Sequence, residues 1–290
     1  MGEPWEAGDI LIAPGDINDE ALRYMDSSGW LEVLRDAAEH IVAKVSQARV
    51  RGVGLETRDL KHLLDDAAQG ALVETLTRRG VSAQLVSEEG DVLVGAGGPI
   101  VIADPNDGTT NLSRGMRPAV TCLSVSEDGT LDGTLAALVS DIYTGETYTA
   151  EKGRGALLDG RPIRVAAPRP ARASLISMDI TKTPKLERVK PLLDSCRYLR
   201  MLGSSATELS LVASGNLDAH LDIRGTLRAT DVVAALTILR EAGGVYAVNG
   251  AHGGDIPLTK AAIMELVAAS NTQLLDELLA LTRPAAGAVA

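Results

Sequence analysis

Between Ala103 and Gly115 the chain reads ADPNDGTTNLSRG, with two carboxylates, Asp104 and Asp107, three residues apart directly after the apolar run PIVI. Gly108, Thr109 and Thr110 follow. A calcium loop wants oxygen ligands at positions 1, 3 and 5, glycine at 6 and glutamate at 12. Counting from Asp104 puts Gly108 at 5, Thr109 at 6 and Gly115 at 12, so that reading fails. A nucleotide P-loop fails as well, because the chain has no Gly-Lys-Ser/Thr. A phosphatase with a covalent aspartyl nucleophile would read Asp-x-Asp-Gly-Thr, and Pro105 stands where that nucleophile belongs. Two carboxylates at a strand end suit a hard divalent cation such as Mg2+, which prefers oxygen. The N–H groups after Asp107 suit a phosphate, as turns and helix N-termini do. On this stretch alone an Asx-rich polar turn stays open as the alternative.

Composition sets the frame. The chain has 290 residues, of which 45% are hydrophobic and 23% charged, as expected of a soluble globular protein. It has no phenylalanine, so the core is built from Leu, Val, Ile and Ala. A formal charge of −11 argues against nucleic acid or an anionic membrane as partner, and an anionic substrate would need a recruited cation. No apolar run approaches the roughly 20 residues of a membrane span. The segment MGEPWEAGDI lacks the basic and apolar parts of a signal peptide, so a cytoplasmic location is expected. Cys122 and Cys196 are too few for a disulfide framework or zinc site and read as buried thiols.

Periodicity supplies the elements that must hold the carboxylates. Apolar positions from Leu31 to Val45 predict an amphipathic helix over 27–49, capped by Ser27 or Ser28. Residues 50–60 read as a loop, open between a metal-carrying lid and a plain connection, and a second helix is expected over 63–78. SAQLVSEE and PIVIAD read as strands ending in carboxylates. AVTCLSVS, TLAALVS, ETYTAEK and ALLDGRPIRV, with turns at Asp128-Gly129 and Asp159-Gly160, predict an antiparallel meander. AAPRPARAS is the candidate linker, which divides the chain into 1–168 and 169–290. Beyond it come ASLISM, a helix over 184–195, YLRML, a helix from Ser205, NLDAHLDI, a helix over 231–242 and a helix from Thr272, with the tail RPAAGAVA frayed.

Three segments together resemble the inositol monophosphatase family of lithium-sensitive, magnesium-dependent phosphatases. These are LVSEEG at 85–90, Asp104-Pro-Asn-Asp-Gly-Thr-Thr-Asn111, and residues 203–244, in which an aspartate opens a helix ending in Glu-Ala-Gly-Gly. They stand in the family's order and span most of the chain between Leu63 and Gly244. The resemblance implies an α+β fold, an alternating α-β-α-β-α sandwich with the site between its halves, and commonly a homodimer. It implies Glu88, Asp104, Asp107, Asp231 and the Asn106 carbonyl as ligands for two or three Mg2+ ions. Gly108, Thr109 and Thr110 then cradle phosphate, Thr109 with Glu88 activates water, and Asp65 or its neighbour Asp66 adds a carboxylate. Gly203, Ser204 and Ser205 fall where the substrate is held.

The implied reaction is hydrolysis of a small sugar or polyol phosphate by water, with no protein nucleophile. The pattern RGTLRATD with KGRGALLDGRPIRV is closer to archaeal-type members that hydrolyse both fructose 1,6-bisphosphate and inositol phosphates. Arg224 stands where the animal enzymes have glutamate, which suits a second phosphate, with Arg228 a weaker candidate and solvated arginines the alternative. A 3′-nucleotide or NADP phosphatase and a non-catalytic regulatory protein of the same fold are the rival functions. Glu208 reads as a capping-box residue with Ser205, Thr230 as the cap of the last signature helix, and His40, His62, His220 and His252 as surface or packing residues.

Overall fold

The computed structural model describes residues 11–12, 25–181 and 186–282. The segment MGEPWEAGDI and the tail RPAAGAVA, whose location and fraying were read from sequence, lie outside them. In chain order the elements are β1 (Leu11–Ile12), α1 (Ser27–Arg51), α2 (Thr57–Arg78), β2 (Ala83–Ser87), β3 (Val92–Val94), β4 (Ile100–Asp107) and α3 (Thr109–Ser113). Next come β5 (Val120–Ser126), β6 (Thr134–Asp141), β7 (Thr147–Glu151), β8 (Gly155–Leu158), β9 (Arg161–Ile163) and β10 (Leu175–Asp179). The remainder are α4 (Leu186–Ser195), β11 (Tyr198–Arg200), α5 (Ser205–Ala213), β12 (Ala219–Arg228), α6 (Ala229–Glu241), β13 (Val245–Val248), β14 (Ala251–His252), β15 (Ile263–Ala269) and α7 (Thr272–Thr282).

The described strands form two mixed sheets. The first has the order β1-β3-β2-β4-β5-β6-β7-β8-β9, and the second β11-β10-β12-β15-β13-β14. From β5 to β9 every neighbour pair is antiparallel, the predicted meander, and β4 joins it antiparallel to β5. Asp159 and Gly160 both have positive φ, 47° and 76°, as the two-residue turn between β8 and β9 requires.

Alternation along the strands sorts side chains into three cores. On β6, Ala136 and Leu138 face α1 and α2, whereas Ala137 and Val139 face α5 and α6. On β15, Leu266 and Ala268 join that same inner core, whereas Val267 and Ala269 pack on α4 and α7. The layers are therefore helix pair, sheet, helix pair, sheet, helix pair, as the resemblance implied. The central α6 is buried from Ala229 to Leu239 except at the half-buried Asp231, which its alanine-rich sequence permits because both sheets approach it closely.

Several local expectations are corrected. Residues 50–60 are not one loop: α1 runs to Arg51 and α2 starts at Thr57, leaving a turn at 52–56 that has no length to act as a lid. The cap of α1 is Asp26, which accepts from the Gly29 N–H at 2.9 Å, while Ser27 and Ser28 donate to Glu151 Oε2. NLDAHLDI extends through Arg228, and β3, β13, β14 and β15 add strands not read from sequence.

Candidate active site

The site forms where the ends of β2 and β4 meet the first turns of α5 and α6. A strand puts residues i and i+3 on opposite faces, so Asp104 and Asp107 in a regular β4 would diverge. They do not, because β4 bulges: Asp104 pairs with Cys122 and Asp107 with Val120, so an extra residue of β4 intervenes. Cys122 and Val120 both face the inner core, and so both aspartates turn toward α5 and α6. Pro105, which has no N–H to donate, sits in the bulge, and its carbonyl accepts from the Thr121 hydroxyl at 3.0 Å.

Gly108 follows with φ of 93°, and a Cβ there would stand 2.9 Å from the Pro118 carbonyl oxygen. This close approach turns the chain into α3. The Thr109 hydroxyl donates to the Asn106 carbonyl at 2.9 Å, tying the predicted ligand oxygen to the predicted phosphate turn. Asn111, the last residue of the motif, donates to the carbonyls of Pro118 and Leu202, which fixes α3 against the loop before α5.

Among the described residues, Glu88, Asp104 and Asp231 present carboxylate oxygens that all lie within 4.8 Å of one another. Two hydrogen bonds hold Asp231: Oδ1 accepts from the Thr230 hydroxyl at 2.9 Å and Oδ2 from the Arg228 N–H at 3.1 Å. Thr230 is thus not the helix cap expected from sequence. The helix begins at Ala229, two residues before the expected start, with Arg228 at its N-cap, and the threonine instead orients the aspartate beside it. Asp104 is 4% exposed. Burial pushes its carboxyl well above the usual range, and the charges of Asp107, Glu88 and Asp231 push it further.

Asp107 stands beside this trio and is tied to the second half of the chain. Its Oδ2 accepts from the Ser204 hydroxyl at 2.7 Å and from the Ala206 N–H at 3.0 Å, at the first turn of α5. Burial raises it to about 7 despite the Ser204 hydrogen bond, and the Asp231 charge adds to the rise. Crowded, half-dehydrated oxygens of this kind repel one another and fit a hard divalent cation, which neutralises them and takes oxygen ligands. The Asn106 side-chain oxygen, buried without a protein partner, adds a further unsatisfied oxygen in the same segment.

Asp65 rather than Asp66 joins the group. It accepts from Asn106 Nδ2 at 2.9 Å, is pushed up by burial and the Glu88 charge, and is held down by the Asn106 hydrogen bond and the Thr109 hydroxyl beside it. Asp66, on the next face of α2, is exposed.

Three other expectations change. Ser204 is 2% exposed and caps α5 while binding Asp107, so it supports the site from behind, and Gly203 turns against Asn111 with φ of 80°. Ser205 is also buried, in the first turn of α5. Arg224 is taken up by its own protein: Asp222 receives its Nε and Nη2, and Asp179 and Thr181 receive Nη1. Glu208 does not complete a capping box with Ser205. It is fully buried, accepts from the Leu202 N–H at 2.8 Å and lies 3.5 Å from His220 Nδ1.

Two cations at the site escaped the sequence reading of it or were underweighted. Lys61, on α2, donates to the Thr110 hydroxyl at 2.7 Å and so stands at the proposed phosphate turn. Its signal was its place one turn before Asp65 on the same helix face. Arg228 contacts Glu88 and Asp231.

Comparison with known proteins gives the family and the fold. The model of the inositol monophosphatase family matches residues 27–287. A fructose-1,6-bisphosphatase/inositol-1-monophosphatase of Methanothermobacter thermautotrophicus is 35% identical over 230 residues, covering 75% of this chain and 81% of that protein. A Nus factor SuhB of Pasteurella multocida is 29% identical over 207 residues, covering 68% of this chain and 74% of that protein. The crystal structure of inositol monophosphatase II from Staphylococcus aureus superposes with a TM-score of 0.75 at 23% identity, covering 89% of this chain and 97% of that one. With its five layers and its carboxylates at the ends of β2, β4 and the start of α6, the chain belongs to the inositol monophosphatase family.

Proposed function

We propose that the protein is a Mg2+-dependent phosphomonoesterase that hydrolyses a small sugar or polyol phosphate, of the fructose 1,6-bisphosphate or inositol 1-phosphate type. The observation that carries this reading is the convergence of Glu88, Asp104 and Asp231 oxygens within 4.8 Å, with Asp65 and Thr109 alongside. Glu88, Asp104, Asp107 and Asp231 would hold two or three Mg2+ ions, with the Asn106 carbonyl as a further oxygen. When bound, the metal supplies positive charge to the phosphoryl oxygens and the leaving oxygen and makes water a stronger nucleophile.

The chain's own groups do the rest. Glu88, Asp65 and Thr109 orient the attacking water, and a carboxylate whose affinity for protons is raised by burial is a better base for it. The N–H groups of Gly108, Thr109 and Thr110 receive the phosphate, and the Lys61 ammonium beside Thr110 adds a fixed cation. Arg224, already bound to Asp222 and Asp179, is not required for a second phosphate in this reading.

We further propose a cytoplasmic homodimer whose two halves, 1–168 and 169–290, share the site. No helix among the described residues is long and apolar enough to cross a membrane. The similarity to proteins named Nus factor SuhB favours a second reading, a regulatory binding protein of the same fold. The full carboxylate set supports the phosphatase reading over it.

Phosphate release from fructose 1,6-bisphosphate, inositol 1-phosphate, NADP and 3′-phosphoadenosine 5′-phosphate, with Mg2+ and with EDTA, tests the assignment. Release that requires Mg2+ and is lost in Asp107→Asn supports it. No release from any of the four favours the binding protein.

A further inference from the structure

Arg228 places a permanent positive charge inside the carboxylate group. Its Nη2 contacts Glu88 Oε1, and its Nε lies 3.6 Å from Asp231 Oδ1. Its own N–H holds the other oxygen of Asp231 at 3.1 Å, so backbone and side chain grip one carboxylate together. Glu88 and Asp231 are two of the three residues whose oxygens converge. A guanidinium stays protonated across the working pH range, so this charge is constant. Fully ionised, the three carboxylates would carry −3, and Arg228 beside them would reduce that to −2.

The fork of Arg228 and a divalent cation draw on the same oxygens. The side chain of Arg228 is 40% exposed, against 29% for Glu88 and 16% for Asp231, so the guanidinium has an open side through which to withdraw. Solvent access also keeps the ion pair weak enough to exchange. Neither Asp104 nor Asp107 makes a hydrogen bond to Arg228, so those two stay available to a cation whichever way the arginine points.

We infer that Arg228 is an internal counter-ion of the metal centre, one that competes with a divalent cation for Glu88 and Asp231, lowers the affinity there, and steadies both carboxylates when no metal is bound. The inference rests on the metal-dependent reading proposed above. Its consequence is an enzyme that gives up metal more readily than its carboxylates alone would allow.

Calorimetric titration of Mg2+ into the full chain, stripped with EDTA and dialysed, tests this on wild type, Arg228→Met and Arg228→Lys. Arg228→Met should bind its tightest Mg2+ about tenfold more strongly, since one opposing charge is gone from a partly exposed cluster. Arg228→Lys keeps the charge and should bind like wild type. In EDTA the thermal midpoint of Arg228→Met should fall below that of wild type, and saturating Mg2+ should close the gap. A variant that folds only with Mg2+ supports the counter-ion role. Should Arg228→Met fold under neither condition, Arg228→Gln is titrated in its place with the same readings.

Equal or weaker Mg2+ binding in the uncharged variant overturns the inference and leaves Arg228 as a structural brace for Asp231. Wild type that binds no divalent ion overturns both this inference and the metal-dependent reading. Wild type that binds Mg2+ with both variants unchanged overturns this inference alone.

Discussion

Replacing Glu208 by glutamine should remove a defined part of the protein's pH sensitivity. Glu208 is 1% exposed, and burial raises its carboxyl to about 8; the Leu202 N–H opposes the rise, and the charges of Asp107, Asp179 and Asp222 add to it. In the unfolded chain a glutamate titrates at about 4.3. Between those values the folded protein holds a proton that the unfolded one lacks. Stability therefore falls as pH rises through this window and levels off above the folded value. Each pH unit inside the window is worth about 1.4 kcal/mol, so the step from about pH 6.5 to about pH 8 removes about 2 kcal/mol.

His220, beside it, is lowered to about 4 by burial. It therefore weakens the fold as pH drops below the unfolded histidine value of about 6.5, outside the step chosen. Glutamine keeps an oxygen to accept from Leu202 and has no proton to lose. At roughly 2–4 °C per kcal/mol for a chain of this size, wild type should lose about 4–8 °C more than Glu208→Gln over that step. Scanning calorimetry of both proteins in EDTA reads the difference, in which the titration of groups not coupled to Glu208 cancels. Midpoints that fall in parallel would refute the claim that Glu208 is buried as the neutral acid.

Three further outcomes follow from the site. Asp65→Asn should lower kcat about 100-fold, while Asp66→Asn stays within about twofold, because only Asp65 joins Asn106 and Thr109; steady-state phosphate release reads both. Lys61→Met should raise KM about tenfold with kcat changed far less, and should weaken inhibition by inorganic phosphate in parallel, since it removes a cation at Thr110 and no metal ligand. Gly108→Ala should destabilise the protein by about 2 kcal/mol or more in urea unfolding, because its φ is positive and the new Cβ meets the Pro118 carbonyl at 2.9 Å. A neutral result at Gly108 would mean that the turn into α3 is not as tight as described.

How much of this was legible in the sequence depends on whether a signal was local. Glu88, Asp104 and Asp231 are readable because the three segments that carry the resemblance hold them, while periodicity alone gives only the strands that lead into Glu88 and Asp104. The common orientation of Asp104 and Asp107 is not readable, since three-residue spacing on a strand implies opposite faces and only the bulge against β5 reverses it. The turn at 52–56 was read too long because Gly52 and Gly54 suggested a break, while Thr57, Arg58 and Asp59 are ordinary helix-start residues whose helix continues into Leu63. Arg224 looked free because Asp179 lies 45 positions away and reaches it only when β10 and β12 pair. Lys61 drew no reading and Arg228 only a weak one, toward a second phosphate, for the same reason: their partners Thr110 and Glu88 come from other elements.

The layer order explains why such a crowded site is tolerated. α5 and α6 lie between the two sheets, and both point their first turns at the β4 bulge, one through the Ala206 N–H to Asp107 and one through Asp231 itself. Donors and helix N-termini there favour negative charge, which offsets part of the repulsion among the carboxylates. The offset is incomplete, as the upward shifts of Asp104, Asp107 and Asp231 show. A folded protein that holds such a cluster binds divalent cations in a way the unfolded chain cannot, so metal binding and folding are linked, and each gain in metal affinity returns as stability. Arg228 sits on that linkage. By lending a charge to Glu88 and Asp231 it lowers what the metal must contribute to folding, and by the same contact it lowers how tightly the metal is held.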